Sequence, residues 1–296
     1  MPVLVSNYLN ETIESILEKS SQSLSAQGIE NPRLTSELLL CYALGCERSE
    51  LINRLYKTPN SHDVTKFESY LERRLAHEPL QYIIGECEFM GLKFIVDSRV
   101  LIPRPETEIL VERVIELSKK EGIHSQRILD IGTGSGNIAI ILAKFTEDCT
   151  VDGIDVSEEA LTVARLNVER HRVASKVNVL KADILKPNTY FDGCTYGLIV
   201  SNPPYISRVE FNMLQPEIRD HEPAIALTDY ADGMTFFHII AKLSKRILLP
   251  RGWVFVEIAY DQGDKVPEVF RQHGYVNIET ISDYSGIKRI VKAQWL

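Results

Sequence analysis

The chain has 296 residues, 44% hydrophobic and 25% charged, with 16 glycines and 13 prolines. That composition excludes a disordered, collagenous or low-complexity protein and suggests two globular domains. Its 33 Lys and Arg against 41 Asp and Glu leave a net charge of −8, with 9 basic and 13 acidic side chains in residues 1–95 and 24 and 28 in the rest. Each part is therefore acidic, without the cationic excess by which a domain grips a phosphate backbone.

The chain opens with helical patterns. Tyr8, Ile13, Ile16 and Leu17 fall near helical spacing. Asn31 and Pro32 open a second helix, Pro lying just inside the start where its missing N–H costs nothing. Leu34, Leu38, Leu39, Tyr42 and Ala43 supply its expected buried face, and Gly45 ends it. A short third helix follows Cys46, and Ser61 or Asp63 is the expected cap of a fourth that runs to about residue 77. Such short amphipathic helices bury their faces only against each other, so a bundle is expected over 1–77. From residue 79 to residue 100, Tyr, Ile, Phe and Val are interrupted by Gly85 and Gly91, which reads as a β-hairpin linker within 78–105.

Residues 106–296 read as one domain. Strand-like segments at 127–131, 150–155, 176–180 and 196–201 alternate with helix-length segments at 137–144 and 157–170 and a shorter stretch after Asp183. Such alternation predicts a parallel sheet covered on both faces. Three more strands are expected at 253–258, 275–281 and 288–292. The last two are joined by Asp283-Tyr284-Ser285-Gly286, too short for a crossover helix, so they should pair antiparallel. The expected fold is α/β, with a mixed seven-stranded sheet.

Cys41, Cys46, Cys87, Cys149 and Cys194 are odd in number and form no Cys-x-x-Cys pair. They read as reduced thiols of a cytoplasmic protein. The apolar run at residues 3–5 lacks a cationic flank and does not read as a signal peptide. The aliphatic run at 138–143 is too short to span a bilayer. Seven scattered histidines give no metal-binding spacing, and no metal is expected.

Chemistry enters at Asp130-Ile131-Gly132-Thr133-Gly134-Ser135-Gly136, between a strand and a helix. Glycines there permit a tight turn and let a ligand lie against bare backbone. Asp155 ends the next strand, where a carboxylate can accept from both hydroxyls of a ribose, and Asp183 ends the third, within reach of an adenine amino group. A dinucleotide site would use Gly-x-Gly-x-x-Gly and a helix N-terminus for pyrophosphate. Here the spacing is Gly-x-Gly-x-Gly, with Asn137 at the place of the third dinucleotide glycine. Asp130 would repel pyrophosphate but suits a cationic amino group, so S-adenosylmethionine is the favoured ligand. Taken singly, Asp130 could be a helix N-terminal charge and Asp155 a loop cap.

Asn202-Pro203-Pro204-Tyr205 follows the fourth strand. By itself it could be a rigid turn that stops the strand. Beside a cofactor loop it suits transfer to nitrogen. The Asn202 side-chain oxygen and the Pro203 carbonyl can take both hydrogens of a planar –NH₂ group, aim its nitrogen at a methyl group and favour the positive charge that develops. The prolines stiffen the backbone, and Tyr205 offers a face for stacking.

These residues, with Pro79 to Gly85, Phe89, Gly91, Leu101-Ile102-Pro103-Arg104-Pro105-Glu106-Thr107-Glu108, Glu222-Pro223-Ala224-Ile225-Ala226-Leu227 and Asp232-Gly233, carry a resemblance to the HemK/PrmC family over nearly the whole chain. Gln262 and Gly286-Ile287-Lys288-Arg289 match more loosely. The family's members are glutamine N5-methyltransferases of peptide release factors, with a Rossmann-like methyltransferase domain, an N-terminal helical bundle and a linking hairpin. The resemblance implies cofactor binding by Asp130, Gly132, Thr133, Gly134, Ser135, Gly136, Asp155, Asp183, Ile184 and Asn202. It implies a glutamine site at Asn202, Pro203, Pro204 and Tyr205, bordered by Arg104 and Glu106, with Asn202, Pro203 and Tyr205 in the catalytic roles. At Ile184 relatives often carry an aromatic residue, so adenine should be held by aliphatic packing here.

The implied partner is a class I release factor, docked by the bundle. No stable nucleic-acid complex, no membrane association and a monomer are expected. Asn-Pro-Pro-Tyr also suits amino groups of adenine or guanine in nucleic acid, against which the even negative charge speaks. An oxidoreductase is opposed by Asp130 and the missing third glycine. A non-enzymatic interaction module would predict decayed motifs, whereas the motif residues are present.

Overall fold

A computed structural model describes residues 8–120, 127–186 and 191–296. The apolar run at residues 3–5 lies outside them. The chain forms two compact units, Met1–Gly85 with Pro216–His221, and Glu86–Gln215 with Glu222–Leu296.

The first unit holds helices α1 (Ile13–Ala26), α2 (Pro32–Leu44), α3 (Arg48–Ile52), α4 (Ser61–Leu75) and α5 (Leu80–Ile84). Thr12 caps α1 by accepting from Ser15 N, and α2 begins on Pro32 and ends at Gly45 in the left-handed conformation. The cap of α4 is Asn60, whose extended backbone lets its side chain accept from Asp63 N at 2.9 Å. Ser61 and Asp63, the expected caps, lie inside the helix, which stops at Leu75. Ile16, Leu17, Leu39, Leu40 and Phe67 form the core. Tyr8 packs edge-on against Phe67, with ring centroids 5.8 Å apart. Leu34 and Tyr42 are exposed, not buried as expected, because the buried side of α2 runs through Thr35, Ser36, Leu39, Leu40 and Ala43. The segment expected to start the hairpin is instead the helix α5, with neighbouring Tyr82 and Ile83 both buried and Gly85 N–H closing the turn on Gln81 O.

The second unit begins with the hairpin of β1 (Glu86–Phe89) and β2 (Leu92–Ile95). Met90 and Gly91 both have positive φ, the conformation of a two-residue turn matched to strand twist. Phe89 and Phe94 enter this unit's core. There follow α6 (Pro105–Lys120), β3 (Arg127–Ile131), α7 (Asn137–Phe145), β4 (Thr150–Asp155), α8 (Glu158–Arg170), β5 (Val177–Lys181) and β6 (Tyr196–Ser201). Next come α9 (Arg208–Phe211), α10 (Pro216–Arg219, packed in the first unit), α11 (Ala224–Leu227), α12 (Thr235–Ile247), β7 (Leu248–Glu257), α13 (Lys265–Gln272), β8 (Val276–Ser282) and β9 (Lys288–Gln294). The stretch after Asp183 shows no helix through residue 186, and residues 187–190 lie outside the described part.

The sheet order is β5-β4-β3-β6-β7-β9-β8. The first five strands run parallel and β9 is antiparallel to both neighbours, its pairing with β8 being the one the short 283–286 turn predicts. β7 starts earlier than residue 253 because Leu248 already pairs with Tyr196, ahead of a register shift. One core lies on each face of the sheet. The order reverses at β3 and β6, and ligands of such sheets bind beyond the carboxyl ends of the strands at that reversal.

Candidate active site

The loops after β3 and β6 leave adjacent strands and therefore meet. A Cβ on Gly132 would stand 3.9 Å from the Asn202 carbonyl oxygen. Gly132, Gly134 and Gly136 all have positive φ, which lets the loop turn back over the sheet before α7 begins. Gly132 and Thr133 donate to Ile154 O, both at 2.9 Å, tying the loop to β4. Asn167 on α8 donates to Ser135 O and Ile95 O at 2.9 Å and accepts from Ile95 N at 2.7 Å, so one side chain joins the hairpin to the glycine loop.

Beyond these strand ends lies a cavity of about 340 Å³, within the size range of small-ligand sites. Gly132, Gly134, Asp155, Asp183, Ile184, Asn202, Pro203 and Pro204 line it. Asp155 Oδ2 accepts from Gly134 N at 3.0 Å and Oδ1 from Ser157 N at 2.9 Å. A carboxylate has about four acceptor sites, so the loop-capping role of Asp155 leaves capacity for a diol. Burial raises its pKa. Asp183 Oδ1 accepts from Leu185 N at 2.9 Å, which shapes the turn that brings Ile184 to the wall. Val156, Ile184 and Leu185 make that region aliphatic, and Phe236 on α12 is the aromatic residue lining the cavity among the described residues. The Arg99-Val100-Leu101 approach, Pro223, Ile225 and Phe236 also line the space; Leu101, Pro223 and Ile225 belong to segments that carry the family resemblance, whereas Arg99, Val100 and Phe236 had no local signal.

Asp130, Thr133, Ser135 and Gly136 are not among the residues that line the cavity. Asp130 is fully buried, and its Oδ2 accepts from Thr133 Oγ1 at 2.6 Å. Its Oδ1 is buried without a hydrogen-bond partner. Burial pushes the Asp130 carboxyl up to about 7, and the nearby Asp155 charge adds to the rise. A buried carboxylate with one oxygen left unpartnered under a glycine loop fits a ligand with a cationic amino group and opposes one with pyrophosphate.

Tyr205 turns away from the cavity lining. Its hydroxyl donates to Glu257 Oε1 at 3.1 Å, and Gln262 Nε2 donates to its carbonyl at 3.1 Å. Asn202 Nδ2 donates to Thr107 Oγ1 at 3.1 Å. Arg104 Nη2 donates to the buried Glu222 Oε1 at 2.5 Å, and Ile102 N to Glu222 Oε2 at 3.3 Å. Two segments singled out separately in the sequence thus meet through Arg104 and Glu222. Glu106 faces Glu257, whose carboxyl it pushes upward. Thr107 and Glu257 were not picked out as site residues. Thr107 sat inside a distinctive segment, whereas Glu257 ends an ordinary hydrophobic strand and carries no local signal.

No group of three or more His, Cys, Asp and Glu among the described residues is placed to hold a metal ion. No helix among them is long and apolar enough to cross a membrane.

Residues 15–85 match the PrmC N-terminal domain and residues 105–218 the methyltransferase small domain. A release factor glutamine methyltransferase of Geobacter sulfurreducens is 38% identical over 280 residues, 95% of each chain. One of Aliivibrio fischeri is 34% identical, covering 96% of this chain and 98% of its own. Among solved structures, the hMettl16 catalytic domain in complex with MAT2A 3'UTR hairpin 1 has a TM-score of 0.53 at 17% identity, covering 79% of this chain and 80% of that one. At that identity the likeness concerns the fold.

Proposed function

The chain belongs to the release factor glutamine methyltransferases, and from that premise we propose that it methylates the side-chain amide nitrogen of the glutamine in the Gly-Gly-Gln loop of class I peptide release factors. The methyl donor is S-adenosylmethionine. The observation that carries the reading is the placement of Asn202, Pro203 and Pro204 on the wall of the cavity that Gly132, Gly134 and Asp155 also line.

When bound, the cofactor supplies an electrophilic methyl group and a neutral thioether leaving group. Gly132 and Gly134 would pass its amino acid end across bare backbone, with Asp130 beneath to balance the ammonium. Asp155 would accept from the ribose hydroxyls. Asp183 and Ile184 would border the adenine. An amide nitrogen is a poor nucleophile because its lone pair is delocalised into the carbonyl. Asn202 Oδ1 and the Pro203 carbonyl would each accept one of its two N–H groups, which holds the nitrogen in place and stabilises positive charge as the N–C bond forms. The surplus proton then leaves to solvent from an acidic, positively charged nitrogen, so no dedicated base is required.

The bundle, residues 1–77, is assigned to docking the protein substrate, the hairpin linker within 78–105 to setting the spacing between docking and catalysis, and 106–296 to catalysis. The enzyme is assigned to the cytoplasm as a monomer that acts on protein, without stable nucleic-acid or membrane binding. The evenly acidic halves of the chain support this. Incubation with labelled cofactor, release factor and DNA tests the reading. Label in the release-factor glutamine is expected, and label in nucleic acid but not in protein would sink it.

A further inference from the structure

Glu257 ends β7 at 1% exposure and accepts a hydroxyl on each oxygen. Thr107 Oγ1 donates to Oε2 at 2.6 Å, and Tyr205 OH donates to Oε1 at 3.1 Å. Thr107 also accepts from Asn202 Nδ2 at 3.1 Å. The chain of contacts therefore runs from β7 through the first turns of α6 to the Asn-Pro-Pro-Tyr loop. A threonine hydroxyl has a single proton. With that proton committed to Glu257, Thr107 can only accept from Asn202. The amide –NH₂ of Asn202 then faces Thr107, and its oxygen is left for the cavity.

We propose that Thr107 and Glu257 are positioning residues that set which way round the Asn202 amide stands, so that an acceptor and not a donor meets the substrate nitrogen. This rests on the methyl-transfer reading above. A glutamine –NH₂ offers only donors, so an Asn202 amide turned the other way would present donor to donor. Reversal follows when Glu257 takes up a proton. The neutral acid donates to Thr107, whose own hydroxyl then donates to the oxygen of the flipped Asn202 amide.

The groups facing Glu257 come from every element around it. Burial raises its carboxyl to about 7. The hydroxyls of Thr107 on α6 and Tyr205 pull it down, Glu106 on α6 raises it, and Arg289 on β9 lowers it. Arg289 is itself engaged by Asp283 at 3.1 Å. Burial and the neighbouring carboxylate hold Tyr205 well above the usual phenol range, so it remains a neutral donor. Gln262 holds the same tyrosine from the other end, donating to its carbonyl and to Gly233 O, both at 3.1 Å.

The test measures kcat and KM on intact release factor, and cofactor Kd by calorimetry, from about pH 5.5 to about pH 8.5. Thr107→Val keeps the shape and removes the acceptor. It should lower kcat about tenfold or more with cofactor Kd within about twofold of wild type, and Thr107→Ser should restore most of the turnover. Wild-type kcat should fall on the acid side as Glu257 is protonated. Glu257→Gln retains an oxygen for Thr107 and an amide to donate to the Tyr205 oxygen, and it does not titrate, so that acid limb should flatten. Wild-type kcat in Thr107→Val, or an unchanged acid limb in Glu257→Gln, would overturn the proposal. Both compare a variant with wild type in one assay, so they leave the substrate assignment standing on wild-type turnover alone.

Discussion

Arg104 and Glu222 form an ion pair at 2.5 Å across 118 residues of sequence. Glu222 is nearly fully buried and Arg104 is about a third exposed. The pair clamps the approach to α6 onto the segment before α11, and both segments border the cavity through Leu101, Pro223 and Ile225. Removing the guanidinium leaves a buried carboxylate with Ile102 N–H as one remaining donor. Arg104→Ala should destabilise the protein by about 1–3 kcal/mol, discounted for the exposure of the arginine. It should also raise KM for the release factor. Denaturant unfolding and steady-state kinetics check both.

Asn202→Ala removes the side-chain acceptor while the Pro203 carbonyl remains. Turnover should fall by about 10²–10³, with cofactor binding largely retained. Wild-type turnover would remove the tetrapeptide from the mechanism.

Cofactor affinity should depend on pH through Asp130. Its folded-state pKa is raised to about 7, so the protein alone favours the neutral acid, whereas an ammonium ligand favours the carboxylate. Affinity should rise several-fold between about pH 6 and about pH 7.5 as the carboxylate forms. The stability sign is the reverse. Above the unfolded pKa the folded state holds a proton that the unfolded chain has lost, so the contribution of Asp130 to apo stability declines as pH rises toward about 7. Calorimetric titrations of wild type and Asp130→Asn decide this, the variant being expected to lose the pH dependence of Kd.

Ile184 lies on the aliphatic wall of the cavity. If that wall borders adenine, Ile184→Trp should tighten cofactor binding through stacking worth about 1 kcal/mol, a several-fold drop in Kd. Weaker binding would place the adenine elsewhere.

Gly233 has φ +81°, and a Cβ there would lie 2.3 Å from the Tyr205 carbonyl oxygen. Gly233→Ala should therefore displace Tyr205, lowering kcat and costing about 1–3 kcal/mol in stability. Thermal melts and turnover together report it.

Much of the sheet was legible because its strands carry continuous apolar runs and its loops carry glycine or proline. The parallel order after residue 127, the antiparallel final pair and the glycine loop all follow from such local signals. The 80–84 helix was misread as strand because five residues with Tyr and two Ile suit either state, and packing decided it. α6, α12 and α13 were likewise not separated from their surroundings by local pattern.

What the sequence determined by itself were the ligand class and the transferring group: Asp130, the glycines, Asp155 and Asn-Pro-Pro-Tyr announce themselves because each needs neighbours at fixed short spacing. Tertiary structure decided which of them touch the cavity and which support it. Asp130 turns to Thr133, Tyr205 turns to Glu257, and Arg104 turns to Glu222. Thr107 and Glu257, 150 residues apart, became part of the site only through folding. The reason is directional: a hydrogen bond joins whatever the packed elements bring within 3 Å or so, and sequence distance leaves no trace of it.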